Sequence, residues 1–186
     1  MTILLLGIAL FFAIHVVPMR PLWRARLAAR FGENGYKGIF TLVSLAGFGL
    51  LVAGYAQAPF VPVYAPSAWS YVLANFLMPV SFCLLAAAYL PNNFRSVVRH
   101  PMLAGVAVWS FAHLFANGDL ASLLLFGSFG LYAIVDTVSA TARGTAQPKR
   151  RVPLYNDALV LVAGLLAFWI VRYFHAALFG VAAMVG

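Results

Sequence analysis

The sequence predicts an all-α fold: a polytopic integral membrane helical bundle of about six transmembrane helices, with a short interfacial helix after the first. Three observations carry that reading. The 186 residues are 64% hydrophobic and 9% charged, whereas a soluble domain of this size is about one quarter charged. Apolar runs recur at close to the 17–25 residues, roughly, that a membrane helix needs. The basic residues fall between those runs, on alternate loops. We read the chain as a single domain over residues 1–186.

The expected spans are Thr2–Val17, Gly38–Ala58, Ser70–Leu90, Pro101–Ala116, Leu120–Ala140 and Ala158–Gly180. The first has no basic stretch before it and no small-residue cleavage site, so Ile3–Val17 reads as a retained span. Asn75 and Pro79 interrupt the third. Proline is tolerated in a membrane helix when neighbours re-satisfy the freed carbonyl. Pro101 sits well at the first turn of the fourth, where its missing N–H is no loss. Pro21–Phe31 reads as the interfacial helix: Leu22, Trp23, Leu27 and Phe31 suit the acyl boundary, and the arginines suit phosphate. Thr145–Pro153, with two prolines and a Lys-Arg-Arg run, reads as a flexible connector.

Charge sets the expected orientation. Arg20, Arg24, Arg26, Arg30 and Lys37 lie in the first loop, and Arg95 and Arg99 in the third. Arg143, Lys149, Arg150 and Arg151 lie in the fifth. Arg172 alone falls inside a span. The positive-inside rule then puts the odd loops in the cytoplasm and both termini outside, in a bacterial inner membrane. The formal charge of +8 is spent on this topology, so nucleic acid is not an expected partner. Membrane lipid and a hydrophobic small molecule are. One cysteine, Cys83, excludes an internal disulfide and reads as a small core residue.

The stretch Arg99–Asp119 organises the chain. His100 precedes Pro101, and His113 lies deep in an apolar run, where an ionisable group is by default a functional-site hypothesis. His15 and His175 complete the set of four histidines. The four acids are Glu33, Asp119, Asp136 and Asp157; they supply a zinc or di-iron carboxylate site poorly. Asp136 is expected to pair with Arg95 or Arg99. Imidazole without carboxylate or thiolate, in an aromatic-rich bundle, suits haem iron. His100 and His113 are thirteen residues apart, about 140° around a helix, so they should face different ways and serve different partners. Ser110 and Asn117 share the face of His113. Depth permits three pairings: His15 with His113, His15 with His100, and His113 with His175.

His15, Arg26-Leu27, Phe31-Gly32-Glu33-Asn34-Gly35-Tyr36, Phe40-Thr41-Leu42-Val43-Ser44, Arg99-His100-Pro101, Ser110-Phe111-Ala112-His113 and Asn117-Gly118-Asp119 occur in this order along most of the chain. Together they resemble the NnrU family, which includes the zeta-carotene isomerases. The resemblance implies haem b as cofactor, with His15 and His113 as axial iron ligands and His100 functionally important. Arg99 and His100 then suit the anionic propionates. The chain departs from the isomerase branch at Ser110, where that branch has a cysteine, and near Gln57, where it has a histidine. It is thus closer to the bacterial branch associated with denitrification and nitrogen-oxide metabolism. Two rival readings stand beside this one. Arg99-His100-Pro101 followed by Leu103 and Gly105 is also similar to the cofactor segment of isoprenylcysteine carboxyl methyltransferases, which use S-adenosylmethionine. A non-catalytic membrane assembly factor needs its histidines only for packing.

Overall fold

The computed structural model describes residues 1–145 and 151–180. Lys149 and Arg150, with most of the expected flexible connector, lie outside the described residues. The helices are α1 (Thr2–Met19), α2 (Pro21–Ala56), α3 (Ala68–Tyr89), α4 (Pro101–Ala116), α5 (Leu120–Ala142) and α6 (Tyr155–Phe179), with one 3₁₀ turn at Phe94–Ser96. Five of the six are long and apolar enough to cross a membrane, and α4 is a shorter apolar helix of 16 residues. The protein is an integral membrane protein with the all-helical architecture its composition predicts.

The packing is that of a lipid-solvated protein. Large apolar side chains such as Leu42, Phe76, Leu131 and Trp169 point outward, while Ala74, Ser81, Ala112 and Ala133 are buried. Small residues let helix backbones approach, which is what drives association where lipid tails are as apolar as leucine. The chain divides into two compact units, Met1–Val61 and Pro62–Gly186.

The first unit is a helix pair. Gly47 and Gly54 on α2 meet Phe11 and Leu4 on α1, and Gly7 on α1 meets Leu51. A side chain at any of the three would collide with backbone of the facing helix. Helix α2 is two helices joined at Gly32, whose φ of 72° and ψ of 163° lie in a region open essentially to glycine alone. The break falls where the sequence ends the interfacial segment, just after Phe31. Arg24 reaches across the break, pairs with Glu33 and sits 5.5 Å over the ring of buried Tyr36. The Gly-Glu-x-x-Tyr piece is therefore a latch that sets the angle of the N-terminal segment. Trp23 and Phe31 on that segment are exposed, as an acyl-facing stripe requires.

The second unit runs in the spatial order α6, α3, α4, α5. Ser81 on α3 donates to the Gly105 carbonyl of α4 at 2.8 Å. Gly164 on α6 packs on Cys83, so Cys83 is the small crossing residue expected. Helix α3 is continuous through Pro79, and Asn75, the other interruption, accepts a 2.9 Å bond from Arg172. Arg95 closes the end of α3 by donating to the carbonyls of Ala87, Ala88 and Leu90. Asn93 holds the start of α6 through the Asp157 carboxylate and the backbone of Val152. The Val152 end of the expected connector is thus tied down.

Candidate functional site

His113 lies in the last turn of α4. Its Nδ1 is 2.9 Å from the Trp109 carbonyl, one turn back. A carbonyl only accepts, so Nδ1 carries the proton. In the neutral ring the lone pair is then on Nε2, the arrangement found in metal-binding histidines whose other nitrogen is fixed by a hydrogen bond. The ring stacks on Phe126 of α5, with centroids 4.3 Å apart and planes inclined by 25°. Trp109 packs on the same Phe126 and on Phe129. One turn before His113, Ser110 is fully buried against Gly130. Its hydroxyl has no hydrogen-bond partner among the described residues. An orphaned buried hydroxyl costs about 1–3 kcal/mol, a cost that a polar ligand group there would remove.

His15 repeats the arrangement in the first unit. Its Nδ1 is 2.7 Å from the Phe11 carbonyl, again one turn back. The same acceptor argument puts the proton on Nδ1 and the lone pair on Nε2. The ring stacks on Phe11 at 4.1 Å and meets the edge of Phe40 at 5.1 Å. Phe40 in turn contacts Tyr36, so the latch at Gly32 leads by ring contacts to this imidazole. Ser44, one turn on from Phe40, also carries a buried hydroxyl without a partner among the described residues.

His100 is not on a helix face at all. It is the residue before Pro101, with φ of −127° and ψ of 71°, and its Nε2 meets the Thr141 hydroxyl of α5 at 3.1 Å. Both His100 and His113 therefore meet α5, contrary to the different faces expected from helical spacing. They meet it fifteen residues apart, at Thr141 and Phe126, or about 22 Å of rise. That axial separation keeps them from one metal. Arg99 is exposed. His175 on α6 contacts Phe179 and lies within electrostatic range of His113. Asp136 does not pair with Arg95 or Arg99. It accepts from Arg143, seven residues along α5, at 3.1 Å, and from Tyr132 at 3.3 Å; Arg95 is occupied with the end of α3. Among the described residues no three His, Cys, Asp or Glu side chains gather to hold a metal.

A clamp beside His113 has no counterpart in the sequence reading. The loop after α2 folds onto the end of α4. Val63 and Tyr64 donate their N–H groups to the Gly118 carbonyl at 2.8 and 3.0 Å. The Tyr64 hydroxyl shares its one proton between the carbonyls of Leu114 and Asn117, which a helix end otherwise leaves unpaired. Asn117 donates its amide to the His113 carbonyl at 2.8 Å. Asp119 caps α5 through the N–H and hydroxyl of Ser122. Asn117-Gly118-Asp119 is thus the anchor of the clamp. Tyr64, Phe111, Leu114 and Phe115 also line an open apolar groove of about 440 Å³, with Ser67 and Ser70 at its polar edge.

Partial burial, and then the Asp119 carboxylate, push the Tyr64 phenol above its ordinary value of 10.0. The fold thus favours the protonated form. The clamp's contribution is fully present below the unfolded value and is lost as pH rises through the folded one. We expect the difference in thermal midpoint between wild type and Tyr64→Phe to hold steady up to about pH 10 and to close above it. A difference ultraviolet titration of the two proteins should show one phenol ionising late; ionisation at the ordinary value would refute the assignment.

Comparison with known proteins bears on the whole chain. A family model described as NnrU protein matches residues 3–183. No curated protein matches the sequence. No solved structure matches it either. The match runs through both histidine-bearing units, the latch and the clamp, and on that evidence the chain belongs to the NnrU protein family.

Proposed function

We propose that this NnrU-family protein binds haem b, with His15 and His113 as the residues that would hold its iron. It then acts in redox-linked isomerisation or in nitrogen-oxide metabolism at a bacterial inner membrane, its termini outside. One observation supports the ligand assignment above the rest. Each of these two imidazoles donates Nδ1–H to the carbonyl one turn back, so each neutral ring offers Nε2 to a metal. Fixing the tautomer and the ring plane in this way is worth about 10–100-fold in metal affinity. When bound, haem would supply one-electron iron chemistry, tuned by the residues that hold and surround it. The chain's own part is to orient the rings, to cover them with Phe11, Phe40 and Phe126, and to exclude water. Ser110 offers a hydroxyl donor one turn from His113. Arg99 and His100, at the inner mouth, suit anionic propionates. The groove beside Tyr64 suits the apolar body of a hydrophobic substrate.

The test is the optical spectrum of protein purified in detergent, after haem supplementation, oxidised and then reduced with dithionite. A Soret band with the sharpened visible bands of a six-coordinate bis-histidine haem on reduction is the expected result. Protein that remains colourless after supplementation ends the proposal.

A further inference from the structure

Arg172 is the one basic residue inside an expected membrane span, and among the described residues no acidic side chain pairs with it. Its guanidinium donates to the Asn75 amide oxygen at 2.9 Å and lies 5.8 Å over the Trp169 ring. The acidic side chains are engaged elsewhere: Glu33 with Arg24, Asp136 with Arg143, Asp119 at the start of α5 and Asp157 with Asn93. A charge at membrane depth is expensive, and such residues mark ligand sites or paired groups. The bond to Asn75 uses one of the five N–H donors of a guanidinium, whose fork matches a carboxylate or phosphate two-pronged.

The register of the helices fixes the height of this cation. Gly105 of α4 sits against Ser81 and Leu85 of α3, and Ser70 of α3 shares a groove with Leu114 of α4, so the two helices are antiparallel. Eight residues on from Gly105 is His113; about eight back from the Ser81–Leu85 midpoint is Asn75. Both steps are about 12 Å. Asn75, and with it Arg172, is therefore level with His113. Arg99 and His100, by contrast, lie about 18 Å of helix rise away. His175, one turn on from Arg172, is within electrostatic range of His113.

We propose that Arg172, positioned by Asn75, binds the carboxylate or phosphate of an amphipathic ligand at the depth of His113. The chemistry is a guanidinium–oxyanion pair in an apolar layer. It has two sources, a phospholipid headgroup or a porphyrin propionate, and it stands apart from the haem reading because the first source needs no haem.

The full-length protein in detergent is titrated with hemin and with hemin dimethyl ester, whose propionates are neutral. In parallel, native mass spectrometry compares retention of phosphatidylglycerol with that of diacylglycerol, which lacks the phosphate. Arg172→Gln is expected to weaken one anionic probe about 10-fold or more and to leave its neutral counterpart unchanged. Arg172→Lys, which keeps the charge but loses the fork, should fall between; Arg151→Gln, at an exposed loop arginine, should match wild type for the probe that Arg172 holds. Loss confined to hemin identifies the propionate, and loss confined to phosphatidylglycerol identifies the lipid. If Arg172→Gln does not fold, the Lys variant carries the comparison by the same rule. Equal binding of all four probes by variant and wild type overturns the proposal, as does equal loss of the charged and neutral probes. If wild type takes up neither hemin nor its ester, the haem reading falls, and the phosphatidylglycerol arm alone decides the role of Arg172.

Discussion

Leucine at His113 is expected to abolish the bis-histidine spectrum and to lower hemin affinity by more than about 100-fold. That exceeds the roughly 10–100-fold cost of losing an outer-shell partner, because the ligand itself is removed. Leucine keeps an apolar side chain against Phe126 and Trp109, where the imidazole now stacks. The apoprotein should therefore remain folded by gel filtration and circular dichroism. The partner ligand is decided by the companion variants. His15→Leu is expected to match His113→Leu in the spectrum. His175→Leu is expected to leave the bis-histidine bands in place, although His175 is within range of His113; the reverse result would transfer the second ligand to α6. His100→Leu should keep the bands too, because that ring meets α5 at Thr141, far along the axis from Phe126. A His113→Leu protein with an unchanged Soret band would refute the ligand assignment.

How much of this was legible in the sequence depends on the range of each interaction. Helix α4 falls at Pro101–Ala116 as read, because a proline start and an apolar run ending at Asn117 are local signals. The helix read over Pro21–Phe31 stops where read, because Gly32 takes a backbone conformation that other residues avoid and breaks α2 there. The pairings formed at a distance were not legible. Arg172 with Asn75 spans 97 residues and Tyr64 with Asn117 spans 53, and no periodicity couples such positions. Asp136 shows the opposite error. Proximity to the inner loops suggested Arg95 or Arg99, yet Arg143 lies two turns along the same helix, while Arg95 is drawn to the exposed carbonyls ending α3. The face of His100 was misjudged because helical spacing was applied to a residue that the following proline holds out of the helix.

The same distinction sets the second large effect. Asn117-Gly118-Asp119 enters the sequence reading only as a piece of the family resemblance. The structure gives Gly118 a physical reason: a Cβ there would overlap the Tyr64 carbonyl oxygen and crowd Pro66. Both are parts of a loop whose backbone donates to the Gly118 carbonyl, so relief requires the loop to lift as a unit. Lifting it removes two backbone bonds and the bond that the Tyr64 hydroxyl shares between two carbonyls. At about 0.5–1.5 kcal/mol net for each of these three, Gly118→Ala should destabilise the protein by about 1.5–4.5 kcal/mol. Tyr64→Phe, which loses the shared hydroxyl bond alone, should cost about 0.5–1.5 kcal/mol on the same scale. The ordering can be measured by thermal unfolding in detergent. The end of α4 that carries His113 loses its clamp in both variants, so hemin affinity should fall in the same order as stability. Gly118→Ala as stable as wild type would mean that the loop does not rest on α4; a destabilised variant with unaltered hemin affinity would separate the clamp from the imidazole it borders.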